Sequence, residues 1–194
     1  MNLDWHNVLG IGASFLLILL VVPYIRSIIT STTRPSAVSW FGWALLYGIT
    51  TVAQASKGID WSLAIPLIST FSTTIIACTA LYMGRAVWTR ADHFSIALAV
   101  IAIALWAITQ EPLVAIILSI VADFAVTIPT VVKTYDDPKS EPALLWVLFV
   151  LGATMTLVAT SQFTIYNLLF PVYSVLTSVV IMLLALRGHF ISRV

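Results

Sequence analysis

Asp123 is the residue whose type and position could do chemistry. It stands halfway along an otherwise apolar stretch from Pro112 to Thr134. An ionisable side chain at bilayer depth costs about 2.5 to 3.5 kcal/mol on insertion scales, so it is usually retained for a function. Here that function would be to carry a proton or to act as the counter-charge for a cationic or polyhydroxyl solute. The structural alternative is a protonated carboxyl that hydrogen-bonds to a neighbouring helix.

Polar residues flank this carboxylate on the same helical face. Ser119, Asp123 and Thr127 follow one another at intervals of four residues, which places them in one stripe along a helix. The spacing therefore predicts a polar strip that includes the acid.

Aromatic residues form a second face in the stretch from 37 to 56. Trp43 and Tyr47 are four residues apart and lie deeper than Trp40, which we interpret, like Trp146, as an interfacial anchor. If Trp43 and Tyr47 face inward, they can stack on a sugar or heterocyclic ring.

The remaining candidate residues carry hydroxyl and amide groups. Ser69 and Ser174 begin two rows of hydroxyl residues, which either line a polar path or allow close helix packing. Asn167 is predicted to hydrogen-bond a substrate, with a helix cap as the alternative. The three histidines lie near segment ends and Cys78 is the only cysteine, so we expect no metal site, no disulfide and no cofactor.

The composition indicates a membrane protein. The 194 residues are 60% hydrophobic and only 9% charged, against about 25% charged in an average soluble domain. The mean hydropathy is +1.05. The formal charge of +1 provides no basic field, so nucleic acid is excluded as a partner and the lipid bilayer is expected.

Seven stretches are long enough to cross the hydrocarbon core as helices. With seven crossings, eight of the nine Lys and Arg residues fall on one side and only Lys57 on the other. The positive-inside rule then places the amino terminus outside and the carboxyl terminus in the cytoplasm, in a multi-pass protein of the plasma (inner) membrane. The stretches are 8–29, 37–56, 62–83, 94–109, 112–134, 143–161 and 167–187.

Segments one to three resemble segments five to seven at an offset close to 106. Pro23 aligns with Pro129 and Pro66 with Pro171, and these four prolines are predicted to act as hinges in the helices. The predicted fold is all-α, with seven transmembrane helices in a 3+1+3 parallel repeat. Its units are 1–83, a linker helix within 84–111, and 112–194.

Each half has a late proline in its first helix, then a short cytoplasmic loop (31–35 and 136–142), and then a tryptophan at the entry of the next helix. This pattern resembles the PQ-loop superfamily, which contains the SWEET and SemiSWEET sugar facilitators. Tyr24 and Thr130 stand where that family has a signature glutamine. The resemblance implies alternating access through a central cavity between two triplets. The aromatic stretch from Ser39 to Trp43 also resembles PnuC-type vitamin transporters.

The leading hypothesis is a carrier or facilitator for a small polar or ring-containing solute, with proton coupling through Asp123 as one option. The alternative is a sensor, scaffold or accessory protein with the same fold. An enzyme is not expected, because Asp123 has no partner nucleophile, base or second carboxylate nearby in sequence. Gly10 and Ser14 form a small-residue pair that fits an interface between helices or between the protomers of a homo-oligomer.

Overall fold

The computed structural model describes residues 4–30, 37–84, 97, 100–101, 104–105, 107–138 and 143–191. Every regular element in those ranges is helical, which confirms the predicted all-α class. A 3₁₀ turn, Trp61–Leu63, leads into the fourth helix. The helices are α1 (Trp5–Leu19), α2 (Val21–Ile29), α3 (Ala37–Ala55), α4 (Ala64–Tyr82), α5 (Pro112–Asp136), α6 (Ala143–Ala159) and α7 (Ile165–Ile191).

Four helical stretches are long and apolar enough to cross a membrane, so the prediction of seven spans is confirmed for four of them. They are Trp5–Arg26, Trp61–Tyr82, Pro112–Asp136 and Ile165–Arg187. The apolar helix α6 has only 17 residues, and α3 carries Trp, Tyr, Ser and Gln side chains that lower its mean hydropathy. Half of the residues of the predicted fourth segment, 94–109, lie outside the described residues, as do Arg34, Arg85, Arg90, Lys139 and Arg193. The four spans indicate a multi-pass membrane protein.

The outer surface of the helices is apolar. Phe15, Phe71 and Leu176 are each more than 60% exposed, whereas Thr50, Thr156 and other hydroxyl residues are fully buried. A water-soluble protein rarely exposes large contiguous apolar patches. This surface is suited to contact with lipid.

The four predicted hinge prolines occupy different local structures. The helix axis is interrupted at Leu20, between α1 and α2, three residues before Pro23; a proline has no N–H to bond the carbonyl four residues earlier. Pro66 is the third residue of α4, so it lies in the first turn and not in the helix interior, and its missing N–H leaves no carbonyl unpaired. Pro171 lies inside α7, and Pro129 is in the continuous backbone of α5.

One end of the molecule, here called the Lys57 end, gathers the starts of α1, α4, α5 and α7. The indole Nε1 of Trp61, just before α4, donates to Oδ1 of Asn7 in α1 at 3.1 Å. The Tyr166 hydroxyl, at the start of α7, donates to Oε1 of Glu111, just before α5, at 3.1 Å.

The ends of α3 and α6 lie at the same place. The amide nitrogen of Gln54, near the end of α3, donates to the carbonyl of Tyr166 at 2.7 Å. The carbonyl of Ala159, which ends α6, is 3.2 Å from Nδ1 of His6. The opposite end, here called the Arg187 end, is where the Arg187 guanidinium of α7 donates to the carbonyl of Tyr135 of α5. The helices α1, α4, α5 and α7 thus run in one direction, and α3 and α6 in the other.

The helices pack in a pattern that repeats itself. α4 packs against both α1 and α3, and α7 packs against both α5 and α6. Between these two groups, α1 contacts α6 and α3 contacts α5. If α1 corresponds to α5, α3 to α6 and α4 to α7, each of these contacts has an equivalent. For example, the contact of α1 with α4 corresponds to that of α5 with α7.

Candidate functional site

A cavity of about 440 Å³ lies among the described helices α1 to α7, in the half of the molecule nearer the Arg187 end. Its walls combine aromatic, hydroxyl and aliphatic side chains with one carboxylate. The lining residues are Leu17, Leu20, Val21, Tyr24, Trp40, Trp43, Tyr47, Ile65, Ile68, Ser69, Ser72, Thr73, Ile76, Asp123, Thr127, Thr130, Leu145, Trp146, Phe149, Phe170, Ser174, Thr177, Ser178 and Ile181.

Two tyrosines hold the Asp123 carboxylate from two other helices. The Tyr47 hydroxyl of α3 donates to Oδ1 at 2.6 Å, and the Tyr173 hydroxyl of α7 donates to Oδ2 at 2.6 Å. Both distances lie at the short end of the range for O–H···O hydrogen bonds. Because each carboxylate oxygen has two lone pairs, each one keeps acceptor capacity for a third group.

Aromatic rings from both halves of the chain line the same cavity as this carboxylate. Trp40 packs against Tyr24 and Trp43 with ring centroids 4.9 and 5.0 Å apart. From the other half, the ring of Trp146 lies 6.3 Å from that of Phe149. These rings offer flat faces at separations typical of tilted and edge-to-face aromatic packing.

Packed side chains close the cavity toward the Lys57 end. Leu17, Ile65 and Phe170 form its floor and belong to a buried apolar cluster that continues through Ile49 and Ile116. Beyond this cluster lie Ser62, Gln54 and Asn167, each no more than 1% exposed.

The Lys57 end is also closed by a link between the two halves, here called the Asp60 clasp, in which the Asp60 carboxylate accepts hydrogen bonds from Ser161 and Gln162. The Gln162 N–H donates to Oδ2 of Asp60 at 2.6 Å. The N–H and the hydroxyl of Ser161 both donate to the same oxygen at 2.9 Å. The clasp joins the turn before α4 to the loop before α7.

Six of the eight predicted substrate-binding residues line the cavity, and two do not. The hydroxyl of Ser119 donates to the carbonyl of Leu46 at 3.3 Å in the interface between α5 and α3. Asn167 is buried at the Lys57 end, where its amide nitrogen donates to the carbonyl of Gln162 at 3.1 Å. The six that line the cavity are Trp43, Tyr47, Ser69, Asp123, Thr127 and Ser174.

Sequence reasoning missed Tyr173, which is the second donor to the carboxylate. Its only signal is its position one residue before Ser174, at the start of the hydroxyl row of the last segment. The two tyrosines do not occupy equivalent positions in the sequence repeat, so the repeat did not point to it.

The acid of this site has no counterpart in the first half of the chain. The residue that corresponds to Asp123 in the first half is Leu17, which is only 5% exposed and lies in the cavity floor. Among the described residues that line the cavity, Asp123 alone has a charged side chain.

Within the described ranges, no three His, Cys, Asp or Glu side chains come together as metal ligands would. Comparisons of the chain with protein-family models, curated proteins and solved structures find no match.

Proposed function

We propose that this protein is an integral membrane carrier for a small solute. It works by alternating access between two three-helix units, 1–83 and 112–194, joined by a linker helix within 84–111. The observation that carries the proposal is a cavity that both units line and that reaches the Asp123 carboxylate. A carboxylate at membrane depth beside such a space is costly and is typical of substrate or proton pathways.

The helix directions and contacts support two like-oriented units. At the Lys57 end, the start of α1 is bonded to the start of α4 in the first unit, and the start of α5 to the start of α7 in the second. Each helix–helix contact has an equivalent when the helices of one unit are replaced by their counterparts in the other, as expected of a parallel repeat. Since α4 ends at the Arg187 end and α5 starts at the Lys57 end, the chain between them has to return across the molecule, which supports the linker helix.

Alternating access requires one side to be closed while the other is open. The apolar cluster and the Asp60 clasp close the Lys57 side. The proposed orientation makes the Lys57 side the outer one, because Arg26 and Arg187 lie toward the other end. The break at Leu20 beside Pro23 is a place where the helix can bend.

The alternative is a sensor or scaffold without a solute path, for which a dry, closely packed centre is expected. A cavity of about 440 Å³ with hydroxyl groups and a carboxylate in its wall favours the carrier. The decisive experiment is uptake into proteoliposomes of radiolabelled sugars, amino acids, amines and vitamins at two pH values. If none of these solutes accumulates above the level in protein-free liposomes, the carrier hypothesis is rejected.

Replacing Tyr47 by Phe is expected to weaken uptake of the identified solute. The change removes one of the two hydroxyl donors to Asp123, and hydrogen bonds to charged groups contribute about 1.5 to 3 kcal/mol. Uptake efficiency should fall by about tenfold or more. The matched control is Tyr166→Phe, which removes a tyrosine–carboxylate bond to Glu111 outside the cavity. Equal loss in both variants would contradict a role of Tyr47 in the site.

Replacing Asp60 by Ala is expected to open the Lys57 side more often. The variant loses the Asp60 clasp, so the closed arrangement becomes less stable relative to the open one. A cysteine at Ser62 reports this opening, because Ser62 is fully buried and its hydroxyl has no hydrogen-bond partner among the described residues. In a Cys78→Ser background, its labelling by a charged methanethiosulfonate should accelerate several-fold.

Asp4→Ala provides the control for the clasp. Asp4 lies at the same end and caps its own helix α1 through the N–H of His6, but makes no bond between the two units among those described. Labelling at position 62 should stay at its original rate in this variant. An unchanged rate in Asp60→Ala would show that the clasp does not control access.

A further inference from the structure

The negative charge in the cavity wall indicates that the solute carries a positive charge. Asp123 is the charged side chain among the described lining residues, and its direct polar contacts are the hydroxyls of Tyr47 and Tyr173. Neither is a cation, and no Lys, Arg or His is among the described lining residues. A carboxylate in a poorly solvated site is stabilised by a positive partner. The unfilled lone pairs of its oxygens give such a partner a place to bind.

The aromatic walls favour the same kind of ligand. A cation is attracted to the face of an indole or phenol ring within about 6 Å of the ring centre. Trp40, Trp43 and Trp146 line the cavity from both units, with Tyr24 beside Trp40. These rings share one cavity with the carboxylate, so they offer π faces to an ammonium group and an apolar surface to the body that carries it.

The size of the cavity limits the ligand to a small molecule. A volume of about 440 Å³ lies near the lower end of the range of about 300 to 1,000 Å³ for ligand pockets. Anions are disfavoured, because the charged lining residue is itself negative and the other described polar groups are neutral hydroxyls and indoles.

We propose that the solute is a small organic monocation, whose ammonium group lies beside Asp123 and whose apolar or ring-bearing body lies among the aromatic side chains. This inference rests on the proposed carrier function for its transport role, but binding tests it independently. A neutral polyhydroxyl ring could also stack on tryptophan and donate to the carboxylate, so the experiment includes one.

The experiment measures binding to the purified full-length protein in detergent by isothermal titration calorimetry. Tyramine is compared with tyrosol, and choline with 3,3-dimethylbutan-1-ol, since each pair differs mainly in the positive charge. D-Glucose represents the neutral polyhydroxyl ligands. We expect at least one ammonium compound to bind ten or more times more tightly than its neutral partner.

Two variants test whether the preference for the ammonium compounds arises in the cavity. Asp123→Asn should abolish the preference for charge, whereas Glu111→Gln, a carboxylate change outside the cavity, should preserve it. Three results would overturn the inference: equal affinities within both pairs, no binding by either ammonium compound, or tighter binding of glucose. All three are measured on the wild-type protein, so the test does not require Asp123→Asn to fold. Uptake of a neutral solute without preference for charge would refute the cation but leave the carrier. Charge-selective binding without uptake of any solute would refute the carrier but leave the cation site.

Discussion

Replacing Asp123 by Asn is expected to reduce uptake of the transported solute about 30-fold or more. The substitution preserves the shape of the side chain but removes its charge and its ability to take up and release a proton. Truncating one partner of a desolvated, hydrogen-bonded charge pair costs about 2 to 5 kcal/mol, and each 1.4 kcal/mol is a factor of ten. If the solute moves together with or against a proton at this carboxylate, the difference between uptake at two pH values should also disappear.

Initial rates in proteoliposomes measure this effect, with protein orientation and amount matched between samples. Asp136→Asn is the control, since Asp136 is an exposed carboxylate at the end of α5 and does not line the cavity. It should keep both the rate and its pH dependence. If the Asp123→Asn variant transports like the original protein at both pH values, then Asp123 serves only to hold α3, α5 and α7 together.

Replacing Gly10 by Ala is expected to lower the thermal stability of the protein markedly. A Cβ atom at this position would lie 2.0 Å from a ring carbon of Trp61, and that indole is also held by its bond to Asn7. Forcing extra atoms into a packed contact costs about 1 to 3 kcal/mol. For a chain of this size, that corresponds to a fall of about 2 to 12 °C in the unfolding midpoint. Differential scanning fluorimetry in detergent measures it.

Gly12→Ala is the matched control on the same helix. A Cβ at Gly12 would meet only the terminal methyl of Met155, at 2.9 Å, and this flexible side chain can move away. The intrinsic preference of Ala over Gly in a helix, about 1 kcal/mol, should then leave Gly12→Ala neutral or more stable. If Trp61 is first replaced by Ala, adding Gly10→Ala should no longer destabilise. A loss that persists without Trp61 would place the cause elsewhere.

The helices themselves follow from local sequence. Apolar stretches of sufficient length predict them, and Asp4 and Asp60 accept hydrogen bonds from the first N–H groups of the elements that follow. Asp123 was identified in the same way, because a carboxylate within an apolar helix stands out whatever surrounds it. Of the predicted polar stripe, Asp123 and Thr127 line the cavity, whereas Ser119 bonds to the backbone of α3.

The partners of these residues depend on the packing of the whole chain. Periodicity states which side chains share a face of one helix, but it does not state how far that helix is rotated toward each neighbour. Tyr173 reaches Asp123 across 50 positions of sequence and Tyr47 across 76, and no local rule links them. The sequence by itself determined the apolar helices and the isolated acid, because these depend on composition and spacing within one segment. The tertiary structure determined the tyrosine pair, the cavity and the Asp60 clasp, because each is formed by segments that meet only after the helices have packed.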